Sequence, residues 1–367
     1  MPTLASVLSF LESFAPPALA ADWDNVGLLL GGREGDCPRV LTCLDLTPDV
    51  AAEAVAEKAS LVVPHHPILF RGVKRLTSGT AEGEVALRLA GAGISVWSPH
   101  TALDNCKGGI NDHLAGLLGL GSIGPLRQRG VGPGRVKVVA FVPDGDLARV
   151  SEALFAAGAG RIGEYSECSF RLHGTGTFRG SEASNPTVGQ KGRREEAPEW
   201  RLEVVCPEAQ VGEAVRALRA AHSYEEPAYD LYPLAQEPGP GEGRVGELPG
   251  PAPLAEMARR VRAALGCGPV GVVGDPGRLV RRVALACGAA AEYLGDAARV
   301  GADVFLTGEA RHHDSLAARG LGVALILPGH YATERPGVEM LAGRVAAAFP
   351  DVRSWASQAE RPPVTWE

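Results

Sequence analysis

The sequence predicts an α/β protein: a two-lobed body of alternating strands and helices, interrupted in its middle by a smaller α+β unit. Three observations carry this. The first and last thirds alternate β-rich runs with helical patterns, as layered α/β folds do. The middle has its own β-α-β, β-α-β rhythm. The run Pro238-Gly-Pro-Gly-Glu-Gly243 then punctuates the chain as a linker. With 367 residues, two or three domains and a sizeable core are expected. The expected spans are 1–126 for the N-terminal lobe, 127–234 for the insertion and 235–367 for the C-terminal lobe.

Taken in order, Leu4, Val7, Leu8, Leu11 and Phe14 recur at helical spacing, and Pro16-Pro17 ends that helix. The segment is apolar, yet no Lys or Arg precedes Arg33 and Glu12 interrupts it, so it reads as an amphipathic helix and not as a signal peptide. Val40–Asp45 reads as a strand and Asp49–Lys58 as a helix. The strand Leu61–Val63 ends at Pro64-His65-His66-Pro67. A helix over Glu84–Ala92 leads to the strand Ile94–Trp97, which ends at Pro99-His100. Both histidine groups thus fall at carboxyl ends of strands, where α/β folds gather functional groups.

In the middle, Val136–Val142 is a strand and Asp146–Ala157 a helix. Strands near Cys168–Leu172 and Trp200–Val205, a helix over Val211–Ala221 and a strand near Ala228–Tyr232 follow. That order predicts a ferredoxin-like unit. The polar, Gly-rich stretch Arg179–Pro198 reads as a mobile or partner-facing loop. Glu225 and Glu226 are adjacent carboxylates that need not face one cleft, so a packing or interface role is expected. In the last third, Val283–Ala286, Val304–Leu306 and Val323–Leu327 read as buried strands. A helix over Glu334–Phe349 and a short strand or irregular end close the chain.

Composition narrows the function. The net charge of −7 argues against general nucleic-acid binding, which needs a basic surface. The one dense basic cluster, Lys191-Gly-Arg193-Arg194, is followed at once by Glu195 and Glu196 and reads as a solvated loop. Seven scattered cysteines without a C-x-x-C pair form neither a disulfide framework nor a zinc ribbon. Reduced thiols and a cytoplasmic location are expected, with no apolar run of the ~20 residues that spans a bilayer.

Six of the nine histidines fall in four tight contexts. These are Pro64-His-His-Pro-Ile-Leu69, His100-Thr-Ala-Leu-Asp104, Thr307-Gly-Glu-Ala-Arg-His-His-Asp314 and Gly329-His-Tyr-Ala-Thr-Glu334. Imidazole with carboxylate suits zinc, manganese, iron or cobalt. Adjacent residues at a strand end point to opposite sides, so His65 and His66 can each serve a different ion. His330 and Glu334 are four apart and share one face of a helical turn, where the carboxylate can bridge two ions. Asp104 adds a negative ligand. A lone His-His pair or H-x-x-x-E is common by chance. Both together at strand ends point to two divalent ions held by His65, His66, Asp104, His330 and Glu334. Five ligands shared by two ions leave open positions, the mark of a reactive site. His100 and His313 are candidates either for moving protons or for orienting a ligand carboxylate, and the sequence leaves both readings open. His113 and His173 read as structural or surface residues. Gly119–Gly124 and Gly158–Gly163 fit G-x-G-x-x-G but follow helices, so they fail the dinucleotide-site test. No phosphate loop of Walker type and no nucleophile turn is present.

The set of motifs resembles a known family. Ala21-Asp-Trp-Asp24-Asn25-Val-Gly27-Leu, His65-His66-Pro67, His100-Thr-Ala-Leu-Asp104-Asn, Thr307-Gly308-Glu and Gly329-His330-Tyr-Ala-Thr-Glu334 are similar to those of the dinuclear-metal-centre hexameric, or Nif-three-like, proteins, also called GTP cyclohydrolase 1 type 2 homologues. The resemblance covers nearly the whole chain. It implies the same five ligands with Glu334 as the bridge, and a toroidal homohexamer with its sites facing an internal cavity. Gly158–Phe170 and His222–Asp230 resemble the inserted PII/CutA-like domain of the longer members. Glu309 stands where an aspartate is common, His312 where a tyrosine is, and Ser223 where a proline is frequent. Cys287-Gly-Ala-Ala-Ala291 replaces a more Gly- and Ser-rich turn. The resemblance implies a metal-dependent hydrolase with a small nucleotide, GTP, as substrate. The alternative is a non-enzymatic protein that stores, senses or delivers metal.

Overall fold

The computed structural model describes residues 1–128, 130–131, 134–235, 237–238 and 241–365. The chain divides into two units, one made of 1–129 with 238–367 and one of 130–237.

In the first unit, runs such as Leu61-Val-Val63 have no polar face, so they form strands covered on both sides. A five-stranded sheet has the order Gly27–Leu30, Ser95–Ser98, Leu61–Pro64, Arg39–Cys43, Arg353–Ala356. Four of these strands are parallel, and Gly27–Leu30 is antiparallel to Ser95–Ser98. The tail residues Arg353–Ala356 are therefore a paired strand, not an irregular end. A six-stranded sheet has the order Gly271–Val273, Ala324–Leu327, Val304–Leu306, Leu279–Leu285, Glu242–Pro253, Gly121–Arg127. Its three strands from Leu279 to Leu327 run parallel. Gly121–Arg127 and Glu242–Pro253 pair antiparallel, so residues 130–237 enter the chain between two neighbouring strands of one sheet.

Strand alternation sorts the apolar residues into layers. Val40, Val63 and Trp97 share a core with Val283, Leu285, Leu306 and Ile326. Leu41, Val62 and Val96 pack instead with Val50, Ala54 and Val85 of the helices Pro48–Ala56 and Ala81–Gly91. Ala284, Phe305 and Leu325 pack with Leu294, Ala297 and Ala318. Each buried aliphatic side chain stabilises this arrangement by about 1.5–3 kcal/mol. The N-terminal helix Leu4–Phe14 buries Leu4, Val7, Leu8 and Leu11, the spacing read from the sequence, and Thr3 caps it by accepting from the Ser6 N–H. Helices the sequence reading passed over include His100–Asn105, Ile110–Leu117 and Leu254–Leu265. The first two are too short for a clear period.

The second unit is a four-stranded antiparallel sheet ordered Tyr229–Pro233, Arg135–Val142, Glu195–Pro207, Phe170–Phe178. Helices Leu147–Ala156 and Val211–Ala221 bury Val150, Leu154, Ala214 and Leu218 against Val138, Ala140, Leu202 and Val204. This is the ferredoxin-like order. The stretch read as a loop over Arg179–Pro198 gives its end to the sheet, with Glu195 paired to Phe178. No helix among the described residues is long and apolar enough to cross a membrane.

Candidate metal centre

His65 and His66 continue off the carboxyl end of the strand Leu61–Pro64, held by N–H bonds from His65 to the Cys43 carbonyl at 2.8 Å and from His66 to the Leu44 carbonyl at 3.0 Å. His65 is buried, with 2% of its surface exposed, and His66 is half-buried. His100 opens the helix His100–Asn105 just after the strand Ser95–Ser98, and Asp104 lies one turn on. The His100 backbone has φ +31, a strained value of the kind that functional sites retain. His330 opens the helix His330–Ala348, four residues before the start expected from the sequence, with Glu334 one turn on.

These side chains converge. Glu334 Oε2 lies 3.0 Å from His66 Nε2 and 3.0 Å from His330 Nε2, and its Oε1 lies 3.9 Å from His65 Nε2. Asp104 Oδ1 is 3.5 Å from His65 Nε2. Two overlapping trios, His65–His66–His100 and His66–His330–Glu334, each bring their ligand atoms within 4.8 Å of one another.

A ring of carboxylates holds the imidazoles. His66 Nδ1 meets Asp45 at 2.8 Å, His100 Nδ1 meets the fully buried Asp24 carboxylate at 2.6 Å, and His330 Nδ1 meets Glu309 at 2.5 Å. An Nδ1–H donated to a carboxylate leaves Nε2 with its lone pair, which is how metal-ligating histidines are usually set. His65 has no hydrogen bond at either nitrogen although both are buried, and His330 Nε2 and Glu334 Oε2 are buried outside hydrogen-bonding geometry. Each such atom costs about 1–3 kcal/mol when left unsatisfied. Divalent cations would satisfy His65 Nε2, His330 Nε2 and Glu334 Oε2 together, so the residues present fit a metal.

Protons can supply the same positive charge in place of a metal. Burial holds the His65 imidazole well below its ordinary value. Burial works against the charged His66, but its contacts with Asp45 and Glu334 push it up to about 10. The Glu334 contact pushes His330 up to about 9. Burial would raise Glu334, yet His330 and His66 hold it well below the usual carboxylate range. Burial, with the neighbouring Glu334 charge, pushes Asp104 up to about 7. Protons on His66 and His330 thus supply positive charge that the carboxylates demand.

Close backbone approach builds the rest. A Cβ at Gly288 would stand 2.2 Å from Glu334 Oε1, and one at Gly308 would stand 2.7 Å from the Gly288 carbonyl and the His330 Cα. Gly288 also has φ +66, so two needs select glycine there. In the altered turn, the Cys287 thiol donates to Asp104 Oδ1 at 3.2 Å and the Cys287 N–H donates to Asn111 at 2.9 Å. At the mouth, Trp23 and Phe70 are 63% and 41% exposed. Their rings meet each other at 6.0 Å, and they meet His100 at 6.0 and 6.3 Å. The exposed Arg71, Lys74 and Arg75 follow Phe70, and among the described residues none has an ion-pair partner.

The structure therefore brings His65, His66, Asp104, His330 and Glu334 together and adds His100 to them. His313 is exposed on the first turn of the helix His312–Leu321, its ring edge-on to His312 at 5.7 Å, and belongs to neither trio. The sequence reading did not assign Asp24, Asp45 or Glu309 a role. Asp45, at the end of a strand one position from that of His65-His66, was the findable one.

The family model described as Duf34/NIF3 (NGG1p interacting factor 3) matches residues 2–363. The GTP cyclohydrolase 1 type 2 homolog of Halalkalibacterium halodurans is 39% identical over 326 residues, 89% of this chain and 87% of the relative. That of Mycobacterium tuberculosis is 38% identical over 355 residues, 95% and 93% of the two chains. Among solved structures, a Bacillus cereus protein related to NIF3 is 33% identical with a TM-score of 0.67, and a Staphylococcus aureus protein is 27% identical with a TM-score of 0.71. Each match covers 100% of this chain and 99% of the other.

Proposed function

The chain belongs to the Duf34/NIF3 family, and from that premise we propose that it holds two divalent metal ions and acts as a metal-dependent hydrolase of a purine nucleotide, GTP being the candidate. The convergence of His65, His66 and His330 on Glu334, with Asp104 beside His65 and the His100 ring beside His65 and His66, carries the reading, and three of the four imidazoles are tethered at Nδ1 by carboxylates. His65 facing Glu334 Oε1 and His66 facing Oε2 support two ions, one on each side of the carboxylate. Glu334, with one oxygen toward His65 and the other toward His66 and His330, supports a bridging role. Nitrogen and oxygen donors suit zinc, manganese or iron.

When bound, such ions polarise substrate and lower the pKa of water toward ~7. The protein's own groups do the rest. His100 donates Nδ1–H to Asp24, so its Nε2 is free to take a proton from water, and Asp24 stabilises the imidazolium that results. Trp23 and Phe70 offer exposed rings on which a purine stacks. Arg71, Lys74 and Arg75 offer uncommitted positive charge to phosphates. The name of the curated relatives supports hydrolytic opening of the guanine imidazole ring with loss of formate.

The test is formate release from GTP by protein loaded separately with zinc, manganese and iron, with Glu334→Ala as control. Turnover that disappears in the control supports the reading. Full metal loading without turnover removes it and leaves metal storage, sensing or delivery. The same reading includes a cytoplasmic homohexamer with its sites facing an internal cavity. Sedimentation velocity on the purified protein tests the stoichiometry, and a monomer would remove that part.

A further inference from the structure

The second unit contains a cavity of about 410 Å³, within the ~300–1,000 Å³ range of small-molecule sites. Its walls are largely apolar, with Phe141, Phe178, Pro186 and Val188 among them. Its charged residues are Glu199, Glu225 and Glu226, and no Lys, Arg or His lines it among the described residues. Glu199 is 9% exposed and lies across the sheet over Gly176, where a Cβ would stand 2.1 Å from its Oε2. Among the described residues it has no ion-pair partner. The Tyr224 hydroxyl, buried without a hydrogen-bond partner in good geometry, lines the same cavity. Burial pushes that phenol up to about 12, and the neighbouring Glu199 adds to it.

The segment that roofs the cavity is pinned in place. The Asn185 N–H donates to Glu225 Oε1 at 2.8 Å, and the Thr187 hydroxyl donates to the Ser223 carbonyl at 2.9 Å. Glu226 is exposed and uncommitted at the rim. A buried carboxylate without a cation is costly, and here it sits at the wall of a space large enough for a ligand. An anion is excluded by three carboxylates. A bare divalent ion is disfavoured, because it needs about six or more oxygen ligands and the walls are mostly carbon. Aromatic walls beside a carboxylate instead suit an ammonium on an apolar body, through charge and cation–π attraction together.

We infer that the inserted unit is a binding site for a small organic ammonium with an apolar body, its charge on Glu199 and its body between Phe141 and Phe178. This assigns the insertion a ligand of its own, independent of the metal centre.

The experiment is calorimetric titration of the full-length, metal-loaded protein with tryptamine, and with indole-3-propionate as a probe of similar shape and opposite charge. Saturable binding of tryptamine with one site per chain and none of indole-3-propionate is expected. Glu199→Gln weakens tryptamine about tenfold or more, and Glu226→Gln, an exposed change that leaves the fold alone, weakens it several-fold. Absence of saturable tryptamine binding overturns the inference. So does equal binding of the two probes, or unchanged affinity in both variants.

Discussion

Glu334 and Glu199, one in each unit, are buried to a similar degree, 4% and 9% exposed. Their surroundings differ in kind. Around Glu334 stand His65, His66 and His330, two of them able to carry a proton, and those rings are anchored from behind by further carboxylates. Around Glu199 stand aromatic and aliphatic walls and two more glutamates. The first carboxylate has its positive charge built in, as protons that a metal can replace. The second has none and leaves room for one. Burial of an acid becomes informative only when the cations within reach are counted.

The largest effect that would break this comparison is at Glu334. Glu334→Ala removes the one carboxylate that His65, His66 and His330 share, so affinity for zinc falls on the order of a thousandfold, about 4 kcal/mol. Competition with a chromophoric chelator measures it. Near-native affinity in this variant would mean that the convergence on Glu334 does not bind the ion.

A compensated charge without any metal comes next. Arg244 is 3% exposed. It donates to Asp112 and to the carbonyls of Asn105 and Cys106, just where the helix bearing His100 and Asp104 ends. Arg244→Met leaves these acceptors unpaired and destabilises the protein by about 3–5 kcal/mol at pH 7, read by urea unfolding. Burial would raise Asp112, but the Arg244 contact holds it below its ordinary value of 3.8. A depressed carboxylate stabilises the fold above its unfolded value, and the contribution is lost as pH falls through the folded one. The gap between wild type and variant is therefore constant near neutrality and narrows below about pH 4. A gap that widens in acid would contradict the assignment.

The carboxylates behind the histidines give smaller effects. Asp45→Ala, Asp24→Ala and Glu309→Ala free the Nδ1 side of His66, His100 and His330. Each lowers metal affinity about 10- to 100-fold. Asp24→Ala also tests His100, and because Asp24 accepts from the Thr101 N–H and hydroxyl as well, Thr101→Val is the control for a loss of support alone. At the mouth, Trp23→Ala weakens GTP by about 1–3 kcal/mol while metal content stays unchanged. Loss of metal together with nucleotide would instead make Trp23 a support of the centre.

Much of the centre was legible because its residues come in local pairs. His65-His66, His100 with Asp104, and His330 with Glu334 each lie within one turn or one strand end. Strand ends in a parallel sheet share one edge, so His65-His66 and His100 become spatial neighbours, while His330 and Glu334 reach them from the end of a strand in the six-stranded sheet. The carboxylates behind them were hidden because each reaches its histidine across 21 or 76 positions. No period or spacing records such a contact. The long strands of the insertion were cut short in the reading, since Gly174 and Gly176 and the charged run before Trp200 lower β-propensity. Pairing of Phe170–Phe178 with Glu195–Pro207 overrides that local signal. Glu225 and Glu226 were read as having a packing or interface role; both are exposed, which speaks against packing within the chain, and Glu225 holds the Asn185 N–H.

The smallest effect sharpens the comparison most. Replacing Glu199 by Gln removes a buried negative charge that has no cation and leaves a side chain of the same shape. The penalty of burying charge disappears, and the amide keeps the volume of the carboxylate. Stability of the unliganded protein should stay level or rise by up to about 1 kcal/mol. Glu334→Gln in metal-free protein should do the opposite. His66 and His330, pushed up to about 10 and 9, lose the carboxylate that keeps them charged, so that variant melts lower at pH 7. Paired thermal melts of the two variants decide between the settings. If Glu199→Gln melted as low as Glu334→Gln, the Glu199 carboxylate would be structurally compensated, and the cavity beside it would lose its electrostatic reason to hold a cation.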